Sequence, residues 1–179
     1  MPDIPTLDTP RLRLRAHALA DFPACAAMWA DPAVTRHIGG VPSTEQQCWS
    51  RMTSYLGHWT LMGFGYWAVE EKSSGEYAGE LGFTDFKRDI EPSIKGMPEA
   101  GWAFVPSKHG RGYATEAVSA IVAWGDGRFD GARTVCLIDP GNLASIRVAE
   151  KCGYARMQAA TYRGASTVLF ARERASTQR

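Results

Sequence analysis

Residues 100–124, AGWAFVPSKHGRGYATEAVSAIVAW, constrain the fold more than any other stretch. AGWAFV reads as a buried strand closed by Pro106, which has no amide proton to give to a ladder. Beyond the turn, Ala114, Ala117, Val118, Ile121 and Val122 recur at helical spacing and mark one buried face. Between strand and helix lies a short basic turn, Gly110-Arg111-Gly112. The first amides of a helix have no partner within it, and the helix dipole adds partial positive charge there. A phosphate fits such a position. Glycine lets the backbone come close and adopt positive φ, and Arg111 adds a charged fork. Alone, the turn fits a tight surface turn equally well.

Further elements follow from pattern. RLRLR at 11–15 alternates strictly and predicts a half-buried strand. ADFPACAAMWAD predicts a helix with Asp21 as its N-cap and Pro23 in its first turn. A break at DPAVTRHIGG precedes a second helix, opening at Ser43 or Thr44 with Gln46 or Gln47 closing a capping box, running to about His58 and ending before Gly63. FGYWAVEE and YAGELGFTDF around KSSGE predict a β-hairpin. A polar loop, KRDIEPSIKGMPE, leads into AGWAFV. Gly125 and Gly127 are expected to help end the long helix. RTVCLI predicts a short buried strand. LASIRVAEKCGY predicts a helix with Leu143, Ile146 and Ala149 on one face and Gly153 as a left-handed cap. The tail predicts two strands about a turn at Arg163–Gly164, and RASTQR a disordered end. Strand, helix, strand, helix in the second half implies a parallel strand pair, and the hairpins make the sheet mixed. No linker or internal repeat is visible, so residues 1–179 read as one domain with an ordered core at about 9–172.

Composition narrows the partners. Charged residues are 22% of the 179 and the formal net charge is +1, which gives no case for non-specific nucleic-acid binding. The four cysteines, Cys25, Cys48, Cys136 and Cys152, form no CxxC pair and read as reduced core thiols, with no metal site. No apolar run approaches the roughly 18 residues of a membrane span. MPDIPTLDTPR lacks a signal-peptide pattern. A cytoplasmic protein without membrane contact is the expectation.

Three nucleotide chemistries compete for the turn. A P-loop needs GxxxxGK[ST], and no such string occurs. A dinucleotide turn needs a third glycine or alanine where Thr115 stands, although Asp139 closes the next strand as a ribose-binding acid would. The third is a coenzyme A pyrophosphate. HGRGYATEA followed by NLASIRVAEKCGY resembles the GNAT superfamily of acetyl-CoA-dependent N-acetyltransferases, and within it the ribosomal-protein-acetyltransferase-like (Rim-type) branch. The resemblance runs from TPRLRLRAH to about Phe170. It implies an α/β fold: a central, mixed, mostly antiparallel sheet of about six to seven strands flanked by helices. A splayed parallel strand pair would hold acetyl-CoA as cosubstrate. In the family pattern Gln/Arg-x-x-Gly-x-Gly/Ala, the first position falls on His109, the glycine on Gly112 and the small residue on Ala114.

What the resemblance implies can be placed by residue. The cofactor side comprises Phe104 and Val105 at the strand end, His109, Gly110, Arg111, Gly112, Tyr113, Ala114 and Thr115 in the loop, then Asn142, Ser145 and Lys151. Acetyl transfer from a thioester to an amine needs an unprotonated amine, donors for the oxyanion and a proton for the thiolate. Glu99 is the candidate base, sharing a strand face with the small Gly101 and Ala103, with Glu80 and Asp85 as rivals. Ser145 is the candidate acid. Each residue also has a plain reading: Glu99 as a solvated strand-start carboxylate, Asn142 or Ser145 as a helix cap, Lys151 as a surface lysine. His17, His37 and His58 have no visible partner, and Trp59, Trp67 and Trp102 fit either an acceptor pocket or the core. Asp85, Asp89 and Glu91 carry charge that would attract a cationic acceptor. The implied activity is N-acetylation of a protein N-terminus or a small-molecule amine, by a monomer or homodimer. The alternatives are a silent acyl-CoA-binding module and, less well supported, a dinucleotide-dependent enzyme.

Overall fold

The computed structural model describes residues 3–173; the RASTQR tail lies outside the described residues. Eight strands form one sheet in the order β1-β2-β3-β4-β5-β6-β8-β7. They are β1 (Leu7–Asp8), β2 (Leu12–Arg15), β3 (Tyr66–Glu71), β4 (Tyr77–Thr84), β5 (Glu99–Phe104), β6 (Thr134–Ile138), β7 (Ala155–Tyr162) and β8 (Ala165–Arg172). The helices are α1 (Phe22–Ala30), α2 (Pro32–Thr35), α3 (Glu45–Met62), α4 (Tyr113–Arg128) and α5 (Leu143–Lys151). Every neighbouring pair of strands is antiparallel except β5 and β6. The mixed, mostly antiparallel sheet expected from the sequence is therefore present. Two-residue β1, too short to show a pattern, makes the eighth strand. The doubly wound parallel sheet of a dinucleotide enzyme is not this topology.

In β2, Leu12 and Leu14 are fully buried while Arg13 faces out, as strict alternation requires. Strand β4 is central and buried along its whole length. The helices take both faces. On one, α4 and α5 pack with Trp59 of α3 against Trp67, Val69, Phe83 and Phe104. On the other, Cys25, Met28 and Trp29 of α1 and Cys48 of α3 cover Ala68, Tyr77 and Ala103. Trp124 of α4 meets Trp59 at 5.7 Å and Trp67 at 5.0 Å, ring centre to centre and edge to face, a favoured aromatic geometry. All four cysteines are free and buried. No described helix is long and apolar enough to cross a membrane.

Several local expectations hold. Thr44 and Gln47 form the capping box of α3, which runs to Met62, four residues past His58, and is ended by Gly63 in the left-handed region. At the end of α5, Gly153 has φ 87° and the Tyr154 amide returns to the Ala149 carbonyl. Arg163 and Gly164 both take positive φ in the β7–β8 turn.

Others do not hold, and packing explains each. Asp21 does not cap α1: its carboxylate accepts both Arg15 guanidinium nitrogens at 2.8 Å and the Ala18 amide at 2.8 Å. Helix α4 continues through Gly125 and Gly127 to Arg128. Gly125 is needed there for space, since a Cβ would lie 3.1 Å from Phe129 and 3.2 Å from Phe83. Leu143 is exposed, and only Ile146 and Ala149 of its supposed face pack inward.

At Gly82 of β4, a Cβ would lie 2.1 Å from the Gly65 carbonyl oxygen and 2.5 Å from the Tyr66 Cα, both backbone atoms. Gly57 in α3 has open space around its Cβ position. Chemical denaturation should therefore show Gly82→Ala destabilising by about 2 kcal/mol or more. Gly57→Ala should stabilise by about 0.5–1 kcal/mol.

Candidate functional site

Strand β5 ends at Phe104 and the chain turns through Pro106–Lys108 into the glycine loop. His109 Nε2 lies 2.9 Å from the Phe104 carbonyl. A carbonyl only accepts, so that nitrogen carries the proton and donates. His109 thus ties the loop back to its own strand. Gly110 and Gly112 have φ 73° and 77°, which L side chains rarely adopt. The first bond into α4 runs from the Glu116 amide to the Gly112 carbonyl at 3.1 Å. The amides of Tyr113, Ala114 and Thr115 precede it and lack intrahelical acceptors, at the positive end of a 16-residue helix. That cradle fits a pyrophosphate.

Two acidic residues that pattern did not single out hold the loop in place. Glu71, at the end of β3, accepts Lys108 Nζ at 2.7 Å, Ser74 Oγ at 2.7 Å, Arg111 Nη1 at 3.1 Å and the Tyr113 hydroxyl. The bonds from Lys108, Tyr113 and Ser74 outweigh desolvation and hold its carboxyl down to about 2. Glu116 accepts Thr9 Oγ1 at 2.6 Å, the Arg11 amide at 2.9 Å and Arg11 Nε at 2.7 Å. Arg11 Nη1 then donates to the Arg111 carbonyl at 2.8 Å. The Tyr113 side chain is buried on Glu71, so what it offers a ligand is its backbone amide. Arg111 is exposed while reaching Glu71, within range of both the brace and a bound phosphate. The sequence gives no local signal for these braces, because the partners lie far apart along the chain.

Strands β5 and β6 share one register pair, Glu99 with Val135, and then diverge. Beyond it their facing backbones have no ladder partner across the gap. A cleft of about 700 Å³ opens there. Its walls include Glu99, Gly101 and Trp102 of β5, Cys136, Leu137 and Ile138 of β6, and Asn142 and Ser145 at the start of α5. Residues 37–39 and 41–43, with Gln47, Arg51 and Tyr55 of α3, line a further part. Glu99 and Phe104, where the chain turns toward the glycine loop, stand at opposite ends of a six-residue strand, about 17 Å apart by strand rise. An extended ligand with phosphates at one end and a reacting group at the other matches that separation.

Glu99, Asn142 and Ser145 come together in this cleft. Glu99 is not solvated: it is 7% exposed and accepts Arg88 Nε at 2.7 Å and Arg88 Nη2 at 2.9 Å. The space over Gly101, which the sequence leaves open for a substrate, is filled: a Cβ there would lie 1.9 Å from the Tyr66 hydroxyl oxygen. Burial, then the charges of Glu99 and Glu80, push that hydroxyl far above its usual pKa. Asn142 does cap α5, its Oδ1 accepting the Ser145 amide at 3.1 Å, which leaves its NH₂ group available as a donor. Ser145 Oγ is half-exposed on the same wall. Phe104 packs in the core, Val105 is half-buried beside it, and Lys151 is exposed at the far end of α5.

The rival carboxylates lie elsewhere. Glu80 is fully buried and accepts Tyr55 Oη at 2.6 Å, Trp29 Nε1 at 2.9 Å and Tyr77 Oη at 2.9 Å. Burial alone would raise its pKa, but His17, Tyr55 and Trp29 hold it below the ordinary range. His17 is buried with its Nε2 3.5 Å from that carboxylate, although no hydrogen bond with acceptable geometry joins them. Asp85 is tied to Lys87 and to the Gly96 amide. Asp85, Asp89 and Glu91 are not among the described residues that line the cleft. Trp102 lines the cleft, whereas Trp59 and Trp67 are core. Trp29, His37, Arg51, Tyr55, Tyr66, Arg88 and Asp139 line it too, and no motif marked them as a group.

Known proteins share this architecture. The family profile described as an acetyltransferase (GNAT) domain matches residues 11–155. The uncharacterized protein YkkB of Bacillus subtilis (strain 168) is 33% identical over 153 residues, 82% of this chain and 83% of that protein. The crystal structure of an acetyltransferase from Agrobacterium tumefaciens str. C58 superposes with a TM-score of 0.81 at 30% identity, covering 94% of each chain. RimL, a ribosomal L7/L12 alpha-N-protein acetyltransferase in complex with coenzyme A, shares the fold with a TM-score of 0.75 at 19% identity, covering 94% of this chain and 98% of that one.

The Glu71 brace makes a pH prediction. Its folded pKa is about 2 against an ordinary 4.5, so its contribution is complete above about pH 4.5 and lost as pH falls through about 2. Glu71→Gln should lower the denaturation midpoint at pH 7 and flatten the loss of stability between those two pH values. Denaturation curves at pH 7, 4 and 2.5 measure both effects.

Proposed function

This chain belongs to the GNAT acetyltransferase family, and from that premise we propose that it moves an acetyl group from acetyl-CoA to a primary amine, by direct attack within a ternary complex. One feature carries the reading: from Glu99 on the cleft wall, β5 runs beside the unladdered gap with β6 and leads into the glycine loop and the unpaired first amides of α4. Coenzyme A supplies the activated acetyl thioester. The amides of Arg111 to Thr115 and the Arg111 side chain hold its pyrophosphate, with Lys151 placed to meet a peripheral phosphate. The unladdered edges of β5 and β6 take the amides of its arm, as an added strand would. The Asn142 NH₂ group donates to the same arm. The whole chain, residues 1–179, acts as one domain.

In the cleft, each Glu99 oxygen accepts one bond from Arg88 and keeps a further lone pair. Glu99 accepts the amine proton there, directly or through one water. Ser145 Oγ gives a proton to the departing thiolate. A thiolate with a pKa near 8.5 leaves readily, so this assistance is modest. The acceptor is a protein N-terminus or a small-molecule amine. The Arg88 clamp also favours a second reading, a catalytically silent acyl-CoA-binding module in which Glu99 only positions Arg88. Turnover of acetyl-CoA with a panel of amines separates the two, with acetylated products detected by mass.

Two variants test the roles. Glu99→Gln keeps shape and removes basicity; kcat/KM should fall most at low pH and recover in part as free amine accumulates. A wild-type pH–rate profile would exclude Glu99 as the base. Ser145→Ala should lower kcat by about tenfold with coenzyme affinity, followed by calorimetry, nearly intact. A variant that melts earlier yet turns over normally would leave Ser145 a helix residue and no acid.

A further inference from the structure

The charges on the acceptor side of the cleft do not balance. Three arginines line it, Arg51, Arg88 and Arg163, against two carboxylates, Glu99 and Asp139. Glu99 is consumed by Arg88. Asp139 accepts the Gly141 amide at 2.6 Å and lies 3.4 Å from His37. Arg163 is exposed on the β7–β8 turn over the Tyr162 ring. Arg51 is the informative group. It projects from α3 between Gln47 and Tyr55, four residues from each, so the three form one stripe facing the cleft. Its guanidinium carbon lies over the Trp29 indole, 3.8 Å from the ring centre. Its polar contact is a long one to Ser43 Oγ, 3.4 Å, and no carboxylate pairs with it among the described residues. Burial raises the Tyr55 and Tyr66 hydroxyls well above their usual value, and the Arg51 charge opposes that rise at both, so it sits close to the cleft floor.

A half-buried guanidinium without an anion is unfavourable, because its charge has lost water and gained no counter-charge. Stacking on an indole fixes the plane of the fork and leaves its edge free for a planar, two-oxygen anion. We propose that the acceptor carries a carboxylate beside its amine, and that Arg51 binds this carboxylate while Glu99 takes the amine. This assignment rests on the acetyltransferase reading and adds the substrate class to it. It selects an amino acid, or a peptide N-terminus with an acidic side chain. It disfavours polyamines and aminoglycosides, whose extra ammonium groups would meet Arg51 and Arg163. Arg51 is then a specificity-determining residue that never touches the reacting atoms.

The test uses acceptor pairs that differ in that charge, with kcat/KM referred to the unprotonated amine because amidation also lowers the amine pKa. Glycine, β-alanine and γ-aminobutyrate are each compared with their primary amides. Short peptides beginning with aspartate are compared with those beginning with asparagine. The full chain and acetyl-CoA are used, and kcat/KM is read for both members of a pair. At least one carboxylate member should exceed its partner by about tenfold to a hundredfold, the worth of a charged hydrogen bond. The series containing it distinguishes a free amino acid from a peptide. Arg51→Gln should bring that ratio toward one, and Arg51→Lys should restore part of it. A purely structural Arg51 would lower the melting temperature and affect both members alike, which overturns the proposal, as does a wild-type ratio near one or a preference for polyamines. If no amine is acetylated at all, the acetyltransferase reading falls, and thermal-shift titration with the same pairs decides the present one. Stabilisation by the carboxylate member that is lost in Arg51→Gln supports it, and equal or absent stabilisation overturns it.

Discussion

The site depends on a failure of pairing. Strands β5 and β6 meet at Glu99 and Val135 and then separate, although both stay in one sheet. Each strand is held on its other side by a full antiparallel ladder, β5 by β4 and β6 by β8. The sheet therefore remains intact while a slot opens at its centre. Unpaired backbone in a protein interior is unfavourable unless something else satisfies it. A ligand arm that lies along the slot can do so.

The two ends of the slot are prepared differently. At the helix end the free groups are backbone amides, and side chains fix where they stand: Glu71 and Glu116 gather Lys108, Arg111, Tyr113, Thr9 and Arg11 around the loop. Glu71 stays ionised far into acid, so this scaffold persists across ordinary pH. At the other end, side chains do the work and arrive from many elements. Glu99 comes from β5, Arg88 from the loop before it, Tyr66 from β3, Arg51 and Tyr55 from α3, and Asn142 and Ser145 from α5. Arg51 and Arg88 line the same cleft, yet among the described residues Arg88 has a carboxylate and Arg51 has none. That difference is what the proposal for Arg51 rests on.

The glycine turn was legible because its chemistry is local. Positive φ at Gly110 and Gly112 and the free amides after them follow from residues adjacent in the chain. The box at Thr44–Gln47 and the cap at Gly153 were legible for the same reason. Asp21 was misread because a good capping residue found a stronger partner in Arg15, six positions back. Gly125 was misread because a helix-breaking residue was kept for the rings of Phe83 and Phe129, which sequence spacing cannot reveal. Glu99 was seen as a candidate, but Arg88 beside it was not, since an arginine in a polar loop looks solvated until the loop folds back.

The sequence by itself determined the alternation of strands and helices, the mixed sheet and the anion cradle at the start of α4. Each of these is set by periodicity or by backbone conformation within a few residues. Only the tertiary structure decided which charges are neutralised, which room is filled and which side chains share the cleft. Tyr66 occupies the space above Gly101, Glu80 is sealed under Tyr55, and Arg51 is left facing the cleft on Trp29 with no carboxylate beside it among the described residues. Those outcomes depend on which distant side chain reaches a buried charge first, and that is a property of packing in three dimensions.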